Sequence, residues 1–135
     1  MAVTVTNTTI AALNTAQAIT ANAATSTVTG ATEVFTFTPT KAGSKIALVF
    51  VEGSTAATGK CSYSIAAGDL WASGNALTGT FGSTAAAGAL SVLQIDSAKV
   101  LQDDGTVAIT VSPGNTTAAK LKTTHKMKLY AVELL

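Results

Sequence analysis

Hydrophobic and polar residues alternate over several short stretches of the chain, as they do in β-strands with one buried face. Residues 33–38 place Phe35 and Phe37 on one face and polar or smaller side chains on the other. Residues 45–51 are apolar at both parities, which predicts a central strand covered on both faces. Turn-forming residues at 39–44 separate the two stretches.

The same pattern predicts further strands at residues 61–66, 76–81, 90–95, 98–101, 106–112 and 126–134. The side chains expected to face inward are Cys61, Tyr63, Ile65, Val107, Ile109, Val111, Met127, Leu129 and Ala131. The Asp104-Gly105 pair favours a tight hairpin turn before residues 106–112. About eight short strands and no convincing amphipathic helix predict an all-β fold, a single β-sandwich of the jelly-roll or immunoglobulin-like type.

Residues 1–32 differ from the rest because they contain no Asp, Glu, Lys or Arg, whereas ten are Thr and nine are Ala. Threonine and asparagine every few positions favour an extended segment over a helix. We therefore predict two regions, an extended N-terminal arm at 1–32 and a β-sandwich domain at 33–135. The apolar arm residues expected to lie on a neighbouring molecule are Val3, Val5, Ile10, Leu13 and Ile19.

The surface of the chain must be rich in small polar side chains, because only 11% of the residues are charged. Such a surface predicts that copies of the chain or a partner cover part of it. The net charge is +1, and all eight cations are Lys. Without Arg or a basic stripe, nucleic-acid binding is not expected. Lys122, Lys126 and Lys128 would share one solvated face of a strand.

No secretory signal or membrane-spanning stretch is recognisable in the sequence. Cys61 is the single cysteine, so an internal disulfide is excluded, and the chain is expected to be made in a reducing cytoplasm. Alternation with Tyr63 and Ile65 predicts that Cys61 is a buried, unreactive thiol.

Motifs that suggest catalysis or ligand binding are incomplete. Residues 53–61 resemble a phosphate-binding loop, but five residues instead of four separate the two glycines, Cys61 stands where Ser or Thr is needed, and a predicted strand follows, so a hairpin loop is expected. Asp96, Asp103 and Asp104 are expected to form turns instead of binding calcium. His125 is expected to be partly buried and bonded to a neighbour. No cofactor, metal or catalytic residue is predicted.

Trp71 is the single tryptophan and lies between Gly68 and Gly74, near a predicted loop. Three roles remain open for its indole: closing one end of the sandwich, anchoring an interface, or stacking on a sugar. We include Trp71 among the candidate interface residues.

The succession of strands and turns at residues 45–52, 61–69 and 93–113 resembles that of small head proteins of tailed bacteriophages. The resemblance covers about residues 33–135. It implies a capsid decoration, or cement, protein that binds the outer surface of the phage head and stabilises contacts between major capsid subunits. Such proteins are often homotrimers, with an extended terminal arm that reaches a neighbour.

The resemblance further implies a non-enzymatic virion protein assembled in the host cytoplasm, without membrane or nucleic-acid partners. Two alternatives remain open. One is a carbohydrate- or receptor-binding module on a head fibre or tail, although Trp71, Tyr63 and Tyr130 are the only Trp and Tyr residues available for stacking. The other is a different virion structural subunit, such as a tail-tube or minor shell protein.

Overall fold

The computed structural model describes residues 1–10, 16–53, 60–69, 75–82 and 89–134. In chain order, the elements within these ranges are β1 (Ala2–Thr4), β2 (Thr8–Ile10), β3 (Asn22–Ala23), β4 (Glu33–Phe37), β5 (Lys45–Glu52), β6 (Cys61–Ile65), β7 (Leu77–Phe81), β8 (Ala89–Asp96), α1 (Ser97–Val100), β9 (Val107–Ser112) and β10 (Lys128–Leu134). The fold is therefore all-β, as predicted.

The strands form two mixed sheets. Sheet A has the order β1-β4-β9-β6-β7, and sheet B has the order β2-β10-β5-β8, with β3 also paired to β10. The longer strands pair antiparallel, whereas β1 and β2 pair parallel to β4 and β10. Residues that precede the predicted domain thus supply strands to both sheets.

The two sheets pack through their inner faces, because each strand alternates buried and more exposed residues. Phe50 of sheet B stacks between two rings of sheet A, with ring centroids 4.7 Å from Phe81 and 5.0 Å from Tyr63. Phe35 and Ile109 on adjacent strands of sheet A are fully buried in the same core. Contacts of this kind between large apolar side chains supply most of the stability of a two-layer fold.

Most predicted strands and inward faces are confirmed. The inward residues of β9 and β10, among them Val107, Ile109 and Leu129, are fully buried. Cys61 and Ile65 are buried as expected, whereas Tyr63 is only partly buried. Strand β4 also carries one buried charge, Glu33, on the face of Phe35 and Phe37.

Residues 98–101 were expected to form a strand, and this prediction is wrong. They belong mainly to the single-turn helix α1, whose N-cap is Asp96. The Asp96 side chain accepts a hydrogen bond from the Ala98 backbone N–H at 3.1 Å, which satisfies a free donor of the first turn. The turn at 102–106 is present, with Gly105 at φ 80°, but it joins α1 to β9 and is not a hairpin between two strands.

The start of the last predicted strand is also corrected. Strand β10 begins at Lys128, and residues 120–127 form turns in which the backbone N–H groups of His125 and Thr124 donate to the Lys120 carbonyl. Lys126 has φ 48°, a left-handed conformation that a strand does not allow. Lys122, Lys126 and Lys128 therefore do not share the face of one strand.

The N-terminal leader, residues 1–32, is extended over the strands that the structure describes, but it packs on its own subunit. Val3 of β1 is paired with Phe35, and Val5 is 5% exposed within the core. Strand β2 lies beside the second half of β10, and β3 lies beside its first half. The prediction of a separate arm held by a neighbour is therefore wrong for these strands, and residue 32 does not mark the end of an independent unit.

Polar side chains fix the leader in place. Asn22 accepts the Thr6 N–H at 2.9 Å and donates to the Leu129 carbonyl at 3.1 Å, which links two leader segments to β10. The buried carboxylate of Glu33 accepts the backbone N–H groups of Thr25 and Ser26 and the Thr25 hydroxyl. Hydrogen bonds to a buried charge are stronger than neutral ones, so they hold the leader against the sheets.

Glu133 forms the third attachment. Its buried carboxylate accepts the Asn7 side-chain amide at 2.9 Å, the Thr40 N–H at 2.8 Å, the Lys41 N–H at 3.1 Å and the Ser44 hydroxyl at 2.6 Å. Burial raises the pKa of Glu133, but the hydrogen bonds from Ser44, Thr40 and Lys41 outweigh burial and leave the pKa below its ordinary value. The ionised side chain thus joins the leader, the 40–44 turn and β10.

Over the described part of the chain, no helix has the length and hydrophobicity needed to span a membrane.

Candidate functional site

The outer face of sheet B is the principal candidate site. Inward residues of β5 such as Leu48 and Phe50 are fully buried, so Val49 and Val51 point outward on the opposite side of the sheet. Strand pairing sets Val92 of β8 and Tyr130 of β10 on either side of Val49. A row of apolar side chains therefore crosses three strands on the solvent side.

The rows above and below extend this apolar surface. Leu90 flanks Val51, and Val132 flanks Ala47. In β2, Thr8 lies beside Val132, and Ile10 lies beside Leu134. We call this surface the outer face, and its apolar members are Ile10, Ala47, Val49, Val51, Leu90, Val92, Tyr130, Val132 and Leu134.

Several of these side chains are strongly exposed. Leu90 and Val92 are each 62% exposed, and Leu134 is 42% exposed. The three long strands β8, β5 and β10, at about 4.8 Å spacing and with seven paired residues at about 3.3 Å each, give a face of roughly 330 Å². Its apolar part is smaller, because Lys45, Asp96, Gln94 and Lys128 share the outward side. The most exposed group of large apolar side chains on a monomer is often a contact surface for another molecule.

The free side of β8 adds to the site. Within the described residues, β8 pairs only with β5, and its eight residues carry no Pro or Lys. Edge strands of that length usually carry such residues because these block pairing with other chains. In contrast, the leader strands β1, β2 and β3 cover other edges with two or three residues each.

The structure corrects the expectation that both faces of residues 45–51 are covered. Strand β5 is central, as predicted, but no element of the described chain packs on its outward side chains. Its alternate residues Ala47, Val49 and Val51 are partly buried by their neighbours within the sheet. Ala47, Val49 and Val51 of β5 therefore belong to the outer face.

The predicted interface residues lie in different parts of the structure. Val5 lies in the core, and the partly buried Val3 packs against the core, so both side chains contact their own subunit. Ile10 borders the outer face, and Ile19 is 48% exposed between β2 and β3. Leu13 and Trp71 lie outside the described residues.

Three buried side chains lie at the end of the sheets where β5 finishes, β6 begins and the 120–127 turns attach. They are Cys61, Glu52 and His125. Nδ1 of His125 is 3.0 Å from Oε1 of Glu52, and both side chains are fully buried. Burial, together with the charge of Glu52, raises the pKa of the Cys61 thiol to about 12, although a backbone hydrogen bond from Gly114 opposes this. A protonated, enclosed thiol is a poor nucleophile, which agrees with the prediction of an unreactive Cys61.

His125 is more buried than predicted, since its side chain is fully enclosed. Its Nε2 atom has no hydrogen-bond partner among the described residues. The Glu52–His125 pair lies against Gly53, whose N–H donates to the His125 carbonyl at 3.1 Å. The pair therefore fixes the 120–127 turns to the end of β5.

The aspartates mainly accept hydrogen bonds from backbone N–H groups in turns. Oδ1 of Asp104 accepts the Thr106 N–H at 2.9 Å and the Thr106 hydroxyl at 2.6 Å, and these bonds lower the pKa of Asp104. Asp69 accepts the Asp103 N–H at 2.8 Å. No cluster of three or more potential metal ligands is found among the residues described.

Residues 53–61 were interpreted as a hairpin loop because a strand was predicted to follow. Residues 54–59 lie outside the described chain, but strand β6 does begin at Cys61, directly after the exposed Lys60. The helix that a phosphate-binding loop requires is therefore not present after this segment.

Searches of protein families, curated proteins and solved structures found no match to this chain.

Ile10 is the one outer-face residue that the sequence predicted as an interface residue. Two signals for the outer face were present: both parities of residues 45–51 are apolar, and Leu90 and Val92 alternate with Ser91. What the sequence lacks is the pairing of β8 and β10 with β5, which brings these side chains onto one surface.

Proposed function

We propose that this chain is a structural assembly protein of a tailed-bacteriophage virion, a decoration protein that binds the outer surface of the head. The observation that carries the proposal is the exposed apolar outer face beside the edge of β8 that no other described strand pairs with. A surface of this kind fits a role in binding another protein. The resemblance of residues 45–52, 61–69 and 93–113 to small phage head proteins supports the choice of the major capsid protein as partner.

In this proposal the outer face, and not the leader, makes the capsid contact. Tyr130 and the flanking Val92 would occupy its centre, and the polar residues Gln94 and Lys128 would lie at its rim. Attachment of several linked copies to a repeating shell raises the effective concentration of each contact. A homotrimer, which would provide such multivalent attachment, stays a prediction. The jelly-roll or immunoglobulin-like type of the two packed sheets also stays a prediction.

We propose a non-enzymatic role without a cofactor. The residues best suited to nucleophilic catalysis, Cys61 and His125, are fully buried, and the high pKa of Cys61 keeps its thiol protonated. The alternative of a carbohydrate-binding module is weakened, because one of its three candidate stacking rings, Tyr63, is stacked on Phe50.

Co-sedimentation with expanded phage heads assembled from the major capsid protein tests the proposal. The parent chain should sediment with the heads, and Val92→Asp should bind at least about tenfold more weakly because it places a charge in the apolar contact. Val28→Asp is the matched control, since Val28 is 58% exposed in the connection between β3 and β4.

Equal binding by Val92→Asp and the parent chain would contradict the proposal that the outer face makes the contact. Parallel mixtures with purified tails separate the head from the tail as the site of attachment. Binding to tails alone would favour the alternative of a tail subunit.

A further inference from the structure

The charged residues of this chain are distributed unevenly between the two ends of the sheets. The eight Lys, four Asp and three Glu of the sequence all lie in the described ranges, so their distribution is complete. Glu33, Glu52 and Glu133 are fully buried. The surface charge therefore comes from the lysines and the aspartates.

Five lysines surround the end where β5 finishes and where β6 and β10 begin. Lys128 pairs with Val51 in the last part of β5, and Lys60 directly precedes β6. The 120–127 turns contribute the others, and they attach here through the Gly53 N–H bond to the His125 carbonyl. We call this region the lysine end, and its cations are Lys60, Lys120, Lys122, Lys126 and Lys128.

No exposed carboxylate lies among these lysines. The nearest acidic groups are Glu52, which is buried against His125, and Glu33, which is buried against the 25–26 backbone. These carboxylates face inward, so the ammonium groups dominate the field outside the lysine end.

The four aspartates lie at the opposite end. Asp96 caps α1 and forms an ion pair with Lys45 at 2.9 Å, and Asp69 lies beside Asp103 in the turns that precede β9. Lys41 and Lys99 also belong to this end, where positive and negative charges are mixed. The ends are about 25 Å apart, judged from eight residues of β5 at about 3.3 Å each. That distance exceeds the screening length of about 8 Å at physiological ionic strength, so each end acts on its own surroundings.

We infer that the lysine end is a docking surface for a carboxylate-rich protein surface. Lys128 also stands on the outer face, opposite Val51 and one row from Tyr130. A partner that covers the apolar residues would therefore meet the lysines along one border of its footprint. The inference rests on the proposed function only for the identity of that partner, the phage head.

The chemistry favours carboxylates over nucleic acid. Lysine is a compact point charge, whereas phosphate recognition commonly uses the planar fork of Arg, which the chain lacks. Base stacking requires exposed aromatic rings, and residues 120–128 contain no Phe, Trp or Tyr. Charges at the border of an apolar contact mainly steer association and fix orientation.

The first test needs no phage component. Poly-L-glutamate is titrated into the isotope-labelled protein at about 0.02 M salt, where screening is weak, and backbone amide shifts are followed by NMR. We expect shifts concentrated in residues 120–128 and at Lys60. The triple variant Lys122→Gln, Lys126→Gln and Lys128→Gln should bind at least about tenfold more weakly.

The matched control carries the same number of substitutions at the opposite end, Lys41→Gln, Lys45→Gln and Lys99→Gln. It should bind poly-L-glutamate as the parent chain does. Equal loss in both variants, or shifts centred on residues 41–45, would overturn the inference. Tighter binding of a DNA duplex than of poly-L-glutamate at equal charge concentration would overturn it in favour of nucleic acid.

Head binding provides the second test. If the inference holds, the lysine-end variant should weaken co-sedimentation more than the control variant, and the difference should shrink as salt is raised. Head binding that is identical for both variants at every salt concentration would overturn this inference and leave the outer-face proposal standing. Loss through Val92→Asp remains the separate test of the outer face itself.

Discussion

The leader and the outer face of sheet B are both rich in apolar and small polar residues, yet their surroundings differ. Val5 of the leader is 5% exposed, whereas Val92 of the outer face is 62% exposed. The leader also carries Asn7 and Asn22, which bond to β10 residues of the same subunit. A segment without charge is therefore not by itself an adhesive arm. Hydrogen bonds between the polar residues of such a segment and the rest of the chain show that the segment packs on its own subunit.

Substitution of Val5 by Asp should have the largest effect on stability. It places an unpaired carboxylate in the core between the leader and sheet A, where the Val5 N–H already donates to the Thr36 carbonyl at 2.8 Å. We expect a loss of more than about 3 kcal/mol in the free energy of unfolding. Urea denaturation monitored by circular dichroism measures it. A loss below about 1 kcal/mol would mean that the leader is not part of the folded core.

Glu133→Gln should have an intermediate effect, because it removes a buried charge that accepts four hydrogen bonds from the leader and the 40–44 turn. We expect a loss of about 2 kcal/mol at neutral pH. Asp103→Asn, on an exposed turn, is the control and should change stability by less than about 0.5 kcal/mol.

The loss caused by Glu133→Gln should depend on pH. The pKa of Glu133 is lower in the folded protein than its ordinary value of 4.5. Its ionised form therefore stabilises the fold fully above that value, and the contribution disappears as the pH falls through the folded pKa. Urea midpoints of the parent and the variant should converge in acid. A constant difference down to about pH 2 would show that charge is not the cause.

The sequence predicted the strands well because their signal is local. Alternation around Phe35, Ile109 and Leu129 depends only on neighbouring residues, and all three are buried. Residues 98–101 were misassigned because a four-residue helix has no periodicity to detect, and its N-cap at Asp96 was interpreted only as a turn. The turns at 120–127 were missed because Lys120, Lys122, Lys126 and Lys128 all stand at even positions and so imitate the polar face of a strand.

Pairing between distant strands was the part that could not be predicted. Nothing near Val3 specifies that it lies beside Phe35, and nothing near Val92 specifies that Val49 lies opposite. Register between distant strands depends on the whole fold, and both the placement of the leader and the outer face depend on it. Of the predicted interface residues, only Ile10 borders the outer face, and the other outer-face residues were predicted as strand residues without a role.

Val92→Asp should have the smallest effect on stability and so gives the sharpest contrast with Val5→Asp. The side chain is 62% exposed and stands beside Val49 on the outer face, so the new carboxylate stays in water. We expect a loss of no more than about 1 kcal/mol in the free energy of unfolding, because a strand disfavours Asp and the apolar pair with Val49 is lost. A loss above about 2 kcal/mol would mean that the folded chain itself covers Val92, and the outer face would then be core like the leader. If Val92→Asp keeps its stability within that limit but loses head binding, then Val5 stabilises the subunit itself, whereas Val92 makes a contact between molecules.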